Sequence, residues 1–77
     1  MFTEQNGSLR AEVVGRDFVD AFAMATRVAM IAEAQGHHPD LSISWNRLTI
    51  SCTTHSAGNV VTDRDRALAA AIEEALS

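Results

Sequence analysis

The stretch that most constrains this chain is the end of its long amphipathic segment, Glu33-Ala34-Gln35-Gly36-His37-His38-Pro39. Gly36 supplies the left-handed residue that closes a helix. Pro39 confines His38 to an extended conformation, so the backbone leaves that helix abruptly and in one direction. Upstream, Asp17 is a good N-cap and Asp20 lies in the first turn, where the helix dipole favours a carboxylate. Phe18, Phe22, Ala25, Ala29 and Ala32 recur at helical spacing, and Ala21 and Val28 widen the stripe. The spacing predicts a helix from Asp17 to Gln35, about 28 Å long at roughly 1.5 Å per residue. Two adjacent histidines are therefore delivered to its C-terminal end.

Strand signals lie on both sides of this helix. Asn6-Gly7 favours a type I′ turn, which needs positive φ at both central residues, and would join a strand Phe2–Gln5 to a second from Ser8 to about Val14. In that second strand Leu9, Ala11 and Val13 share the apolar face. Beyond Pro39, Leu41, Ile43 and Trp45 alternate with serines. Leu48, Ile50 and Cys52 then alternate with Thr49, Ser51, Thr53 and His55 on the return. A two-residue turn at Asn46-Arg47 would pair Trp45 with Leu48, Ile43 with Ile50 and Leu41 with Cys52. Continued, that register sets His38 against His55 at the open end of the hairpin. Ser56-Ala57-Gly58-Asn59 is a loop of small residues. Thr62-Asp63-Arg64-Asp65 has the capping-box pattern, so a second helix starts at about Asp63, with Leu68, Ile72, Ala75 and Leu76 as its stripe.

The element order is thus β-β-α-β-β-α. Each strand has one apolar face and each helix one apolar stripe. The simplest solution is an α+β fold, a single four-stranded antiparallel sheet with two helices packed on one face. The other face, with Thr49, Ser51 and Thr53, is expected to be solvated or used in assembly. A chain of 77 residues reads as one domain, 1–77, near the size at which a single core only just suffices. Much of its apolar content is alanine, so self-association into a dimer or tetramer is expected.

Charge and cysteine usage exclude several classes of partner. A net charge of −4 leaves no basic face for a nucleic-acid backbone. No apolar run is long enough to span a membrane, and the N-terminus shows neither the basic nor the apolar region of a signal peptide. The single cysteine rules out an intramolecular disulfide and fits a reducing cytoplasm. Cys52 falls on the apolar face and reads as a core residue.

The chemistry rests on three histidines, His37, His38 and His55. Adjacent histidines chelate a metal poorly, because neighbouring side chains in an extended segment point apart. No thiolate and no helical His-x3-His completes a ligand set, so no metal is expected. No nucleophile elbow is present. General acid–base work fits better, since an unperturbed imidazole titrates at about 6.5 and both protonation states are available near neutrality. Three histidines without a chemical role remain the alternative on local grounds. Glu33 stands in the last helical turn, against the dipole. It is either a tolerated solvated glutamate or a group that orients an imidazole. Asp65 has a sufficient structural task as the third residue of its helix.

The spacing Glu33-x3-His37-His38-Pro39, then Trp45, His55 and Asp65, resembles the signature of the pterin-4a-carbinolamine dehydratases. Asp17-Phe18, Ala21-Phe22, Thr26-Arg27-Val28-Ala29 and Thr54-His55 look like that family too. The resemblance covers roughly residues 9 to 76 and is to the short bacterial form, without an additional N-terminal helix. Val13 and Gly15 stand where the family tends to place aromatics. The resemblance implies a cofactor-free dehydration of 4a-hydroxytetrahydropterin to quinonoid dihydropterin, in pterin recycling for aromatic amino-acid hydroxylation, by a cytoplasmic homo-oligomer. It implies three catalytic histidines, His37 and His55 as the acid/base pair and His38 chiefly in binding and orienting the pterin, with a share in the acid–base work left open. Glu33, Pro39, Trp45 and Asp65 would support the site, the two carboxylates holding tautomers or accepting pterin N–H groups. A different class on the same scaffold is a protein-interaction module that serves a transcription factor or an assembly process.

Overall fold

The computed structural model describes all residues, 1–77. Strands β1 (Thr3–Gln5), β2 (Ser8–Val14), β3 (Asp40–Ser44) and β4 (Arg47–Cys52) form one antiparallel sheet in the order β1-β2-β4-β3. Helices α1 (Phe18–Gln35) and α2 (Asp63–Leu76) pack together on one face of it. Asn6 and Gly7 both have positive φ, as a type I′ hairpin requires.

Both ends of α1 form as the sequence predicts. Asp17 Oδ1 accepts the Asp20 backbone N–H at 2.8 Å. Gly36 is left-handed, its N–H donates to Glu33 O at 3.2 Å, and the His37 N–H donates to Ala32 O at 3.2 Å. This is the Schellman arrangement, and it places His37 at a fixed point just past the helix. The buried stripe, however, is Ala21, Ala25, Val28 and Ala32, while Phe18, Phe22 and Met30 are exposed. Small residues on the inner face let α1 lie close to the sheet, while Phe18, Val19, Phe22 and Met30 are turned away from it.

The core joins Val28 and Ala32 to Leu48, Ile50 and Cys52 of β4 and to Leu68 and Ile72 of α2. Only fifteen of 77 residues are buried, and five of the eleven buried apolar ones are alanines, so this core is small. Cys52 is wholly buried, and its thiol is pushed up to about 11, first by burial and then by the charges of Asp65 and Asp40.

Two strand expectations need correction. The β3–β4 turn falls on Trp45-Asn46, one residue earlier than predicted, so Ile43 pairs with Leu48 and Leu41 with Ile50. That shift preserves which residues face the core and still matches apolar with apolar, so cross-strand pairing alone does not choose between the registers. A tertiary contact distinguishes them. Gly15 N–H donates to Asn46 O at 2.7 Å and Asn46 Nδ2 donates to Gly15 O at 3.1 Å, pinning the turn to the end of β2. Trp45 is left at the tip with φ of 52°.

The second correction is at the other end of the hairpin. β4 stops at Cys52, and His55 lies in a short 3₁₀ turn, His55–Ala57, instead of on a strand. Continued past Asp40, the observed register brings His38 level with Thr53, not His55. The loop is closed by the Thr54 N–H to Val60 O (3.0 Å) and the Asn59 N–H to Thr54 O (3.1 Å), with Gly58 and Asn59 both left-handed. Thr53, expected on the solvated face, is buried and donates its hydroxyl to Gly7 O at 2.7 Å. The β1–β2 turn lies against this loop so closely that a Cβ on Gly7 would sit 2.3 Å from Asn59 O.

Candidate functional site

His37 is the first residue beyond the α1 cap, and that cap fixes its backbone. Its side chain is buried, with 8% of the residue exposed, and its Nε2 lies 2.5 Å from Asp65 Oδ1. Asp65 is fully buried. As the third residue of α2 it accepts the Thr62 N–H on Oδ2 at 2.9 Å, and the same oxygen accepts the Thr54 hydroxyl at 2.6 Å. Burial is the largest single influence on this carboxyl and pushes it upward. The hydrogen bonds from Thr54, His37 and Thr62, with the charge His37 can carry, outweigh burial and hold Asp65 below the usual carboxylate range. An ionised carboxylate only accepts, so His37 carries hydrogen on Nε2 and its neutral form has the lone pair on Nδ1.

The other two histidines are exposed, and each has its own acceptor. His38 Nε2 donates to Glu33 Oε1 at 2.9 Å, an exposed pair whose value lies in orientation more than stability. His55 Nδ1 donates to the Asn59 amide oxygen at 2.6 Å, which leaves Nε2 as its acceptor nitrogen. A cleft of about 270 Å³ is lined by His37, His38 and His55 with Gly36, Thr53, Thr54, Ser56 and Arg64. No apolar side chain lines it. Arg64 Nη2 donates to Gly36 O at 2.7 Å, so the cation at the cleft also ties α2 to the α1 cap.

Three imidazoles surround one polar cleft, each with one nitrogen engaged in a hydrogen bond, an arrangement of groups that can serve acid–base chemistry. The hydrogen bond to the buried Asp65 carboxylate gives His37 a fixed tautomer and ring orientation. The carboxylates near the histidines are already hydrogen-bonded to them, and no cluster of three or more His, Cys, Asp or Glu side chains is disposed to hold a metal ion.

The structure thus brings His37, His38 and His55 to one cleft and places Asp65 and Glu33 behind two of them. Pro39 is half-buried and sets the exit of the chain without lining the cleft. Trp45 does not line the cleft. It is 71% exposed at the tip of the hairpin, roughly 20 Å of strand from His38 at about 3.3 Å per residue. Sequence reasoning missed Arg64, hidden inside a capping box that explained its neighbours, and Asn59, which read only as a loop residue. Thr54 was noted beside His55 but given no task, since a buried hydroxyl has no sequence pattern of its own.

Comparison with known proteins gives this site a lineage. Residues 2–75 match the model of the family described as pterin 4 alpha carbinolamine dehydratase. A Chloroflexus aggregans protein, provisionally named as such an enzyme, is 55% identical over 60 residues, covering 78% of this chain and 63% of the relative. A Roseiflexus protein with the same provisional name is 42% identical over 73 residues, 95% of this chain and 77% of its own. The chain therefore spans somewhat less than two thirds of the length of the Chloroflexus relative. Among solved structures, a transcriptional coactivator/pterin dehydratase from Brucella melitensis superposes with a TM-score of 0.85 at 27% identity, over 95% of this chain and 79% of the other. A pterin dehydratase-like RuBisCO assembly factor of the alpha-carboxysome shares the fold, with a TM-score of 0.72 at 17% identity, over 96% and 84%. A match over nearly the whole chain, to sequences and to a superposable fold, leaves one assignment: the chain belongs to the pterin 4 alpha carbinolamine dehydratase family.

Proposed function

We propose that this chain removes water from 4a-hydroxytetrahydropterin to give quinonoid dihydropterin, by histidine acid–base catalysis and without a cofactor. The observation that carries the reading is the His37–Asp65 pair at a cleft shared with two further imidazoles. The reaction is two proton transfers around one bond cleavage. A proton reaches the 4a-hydroxyl as the C4a–O bond breaks and water leaves. A proton is taken from N5 as the N5–C4a double bond forms. One proton enters the substrate and one leaves it, so the site needs an acid, a base and no redox partner. His37 and His55 serve as this pair, while His38, set by Glu33, binds and orients the pterin. Decay of the carbinolamine absorbance in stopped flow, faster with purified protein than without, tests the reading. A rate equal to the uncatalysed one overturns it.

The polar atoms of the cleft supply the chemistry, so activity should survive exhaustive chelation, and the protein should carry no stoichiometric metal. Loss of activity on chelation that zinc restores would reverse this part of the reading. A place in pterin recycling after aromatic amino-acid hydroxylation, in a reducing cytoplasm, fits the chemistry and the buried free cysteine.

A second reading is favoured by one surface. Val19, Phe22 and Met30 are exposed on the outer face of α1, and Phe18 and Phe22 lie with ring centroids 6.2 Å apart. The names of the two solved neighbours include a coactivator and an assembly factor. A protein partner or a second copy on this face accounts for the exposure, since the alanine-rich core leaves little surplus stability. We expect a dimer or tetramer at micromolar concentration, with a melting temperature that rises with protein concentration. Sedimentation equilibrium showing a monomer, with a concentration-independent melt, would rule out the second copy.

A further inference from the structure

We propose that Thr54 is a positioning residue of the acid–base site, its hydroxyl holding the Asp65 carboxylate turned so that one oxygen faces His37 alone. The inference rests on the dehydration reading given above and deepens it. A carboxylate in a capping box needs only one oxygen for the backbone N–H at the start of its helix. Asp65 is fully buried. Its Oδ2 takes both the Thr62 N–H at 2.9 Å and the Thr54 hydroxyl at 2.6 Å, which leaves Oδ1 to His37 at 2.5 Å.

The direction of the network follows from proton counting. Thr54 has one hydroxyl hydrogen, and the carboxylate can only accept it. The Thr62 hydroxyl lies 2.7 Å from the Thr54 oxygen and 3.4 Å from Asp65 Oδ2, so with the Thr54 hydrogen on the carboxylate it is the donor of the shorter contact. The order is Thr62 to Thr54 to Asp65, with His37 donating to the carboxylate from the opposite side. No buried side-chain nitrogen or oxygen lacks a partner, so the arrangement has no slack. The titratable side chains that act on or are acted on by Asp65 are His37, from the α1–β3 connection, and Cys52, from β4.

Thr54 reaches the second histidine through its backbone. Its N–H donates to Val60 O at 3.0 Å, and its carbonyl accepts from Ala57 at 3.2 Å and Asn59 at 3.1 Å. These bonds close the loop that carries His55 and the Asn59 amide that orients it. One residue therefore registers the two halves of the proposed acid/base pair, the side chain acting on His37 and the main chain on His55.

The test uses Thr54→Val, which keeps the shape and removes the hydroxyl, and Thr54→Ser, which keeps the hydroxyl. Two readouts are needed, the ¹³C NMR titration of the Asp65 carboxyl and the pH profile of kcat/KM. In Thr54→Val the Asp65 titration should move to higher pH, because a donor to its charged form is gone. The acidic limb of kcat/KM should move the same way, and kcat/KM should fall roughly ten- to a hundredfold, the size of one lost hydrogen bond to a charged group. Thr54→Ser should match the wild type in both. A folded Thr54→Val protein with the wild-type Asp65 titration and an unmoved acidic limb overturns the proposal. If Thr54→Val does not fold, the wild-type protein still decides, since a Thr54 hydroxyl proton exchanging with water as fast as an exposed one would also overturn it. An Asp65 titration that moves as expected, in a protein that never accelerates carbinolamine decay, keeps the positioning role and defeats the dehydratase reading.

Discussion

Replacing His37 or His55 should lower carbinolamine turnover about 10²–10⁴-fold, the usual contribution of a positioned general acid or base. Hydroxide is a poor leaving group, so delivery of a proton to the departing 4a-oxygen is where most rate is gained. His37→Ala also removes the partner of a fully buried carboxylate, which confounds catalysis with stability. His37→Gln, which still offers Asp65 an N–H but cannot transfer a proton, is the cleaner variant. His55 is exposed and His55→Ala carries no such complication. The double variant should lose less than the product of the two single effects, because residues that act as a unit are not additive. His38→Ala should show at least as large a change in KM as in kcat, since in the proposed mechanism this exposed pair orients the substrate. Wild-type turnover from folded protein lacking both His37 and His55 would end the mechanism.

What the sequence revealed of this site depends on how local each cause is. Asp17, Gly36 and Pro39 act on their immediate neighbours, so the ends of α1 and the position of His37 were legible. The hairpin register was not, because a slip of two residues keeps Ile43, Leu48 and Ile50 on the same face. Its choice depends on Gly15 and Asn46, 31 residues apart in the chain. The same hidden register misplaced Trp45, and it set His38 opposite a histidine that in fact leaves the strand. The apolar stripe of α1 named both faces of the helix, since periodicity does not say whether Phe22 or Val28 points inward when alanine fills the rest. Asp65 was legible as a cap and illegible as a buried charge, because its second task is set by His37, 28 residues away.

That second task makes Asp65→Ala the substitution with the largest expected effect on the fold. Deleting the carboxylate, which is itself fully buried, leaves the Thr54 hydroxyl, the Thr62 N–H and the His37 Nε2–H without their acceptor. Leaving a buried donor without its acceptor costs about 1–3 kcal/mol, so the three together cost at least about 3 kcal/mol. A folded chain of 77 residues has roughly 4–12 kcal/mol in total at about 0.05–0.15 kcal/mol per residue. The variant should therefore melt at least about 12 °C lower, at roughly 4–8 °C per kcal/mol for a domain of this size. The effect has a defined pH dependence. The folded Asp65 carboxyl is held below its usual range, so its charge stabilises the fold above the unfolded value of about 3.9. That contribution is lost as pH falls through the lower folded value. The gap in stability between wild type and Asp65→Ala should be full at neutral pH and narrow only below about pH 4. Denaturant titrations of both proteins across that range measure it directly. A gap under about 1 kcal/mol at pH 7, or one that grows as the solution is acidified, would mean that the buried pair does not hold α2 to the α1 cap. The histidine cleft would then need another explanation for its geometry.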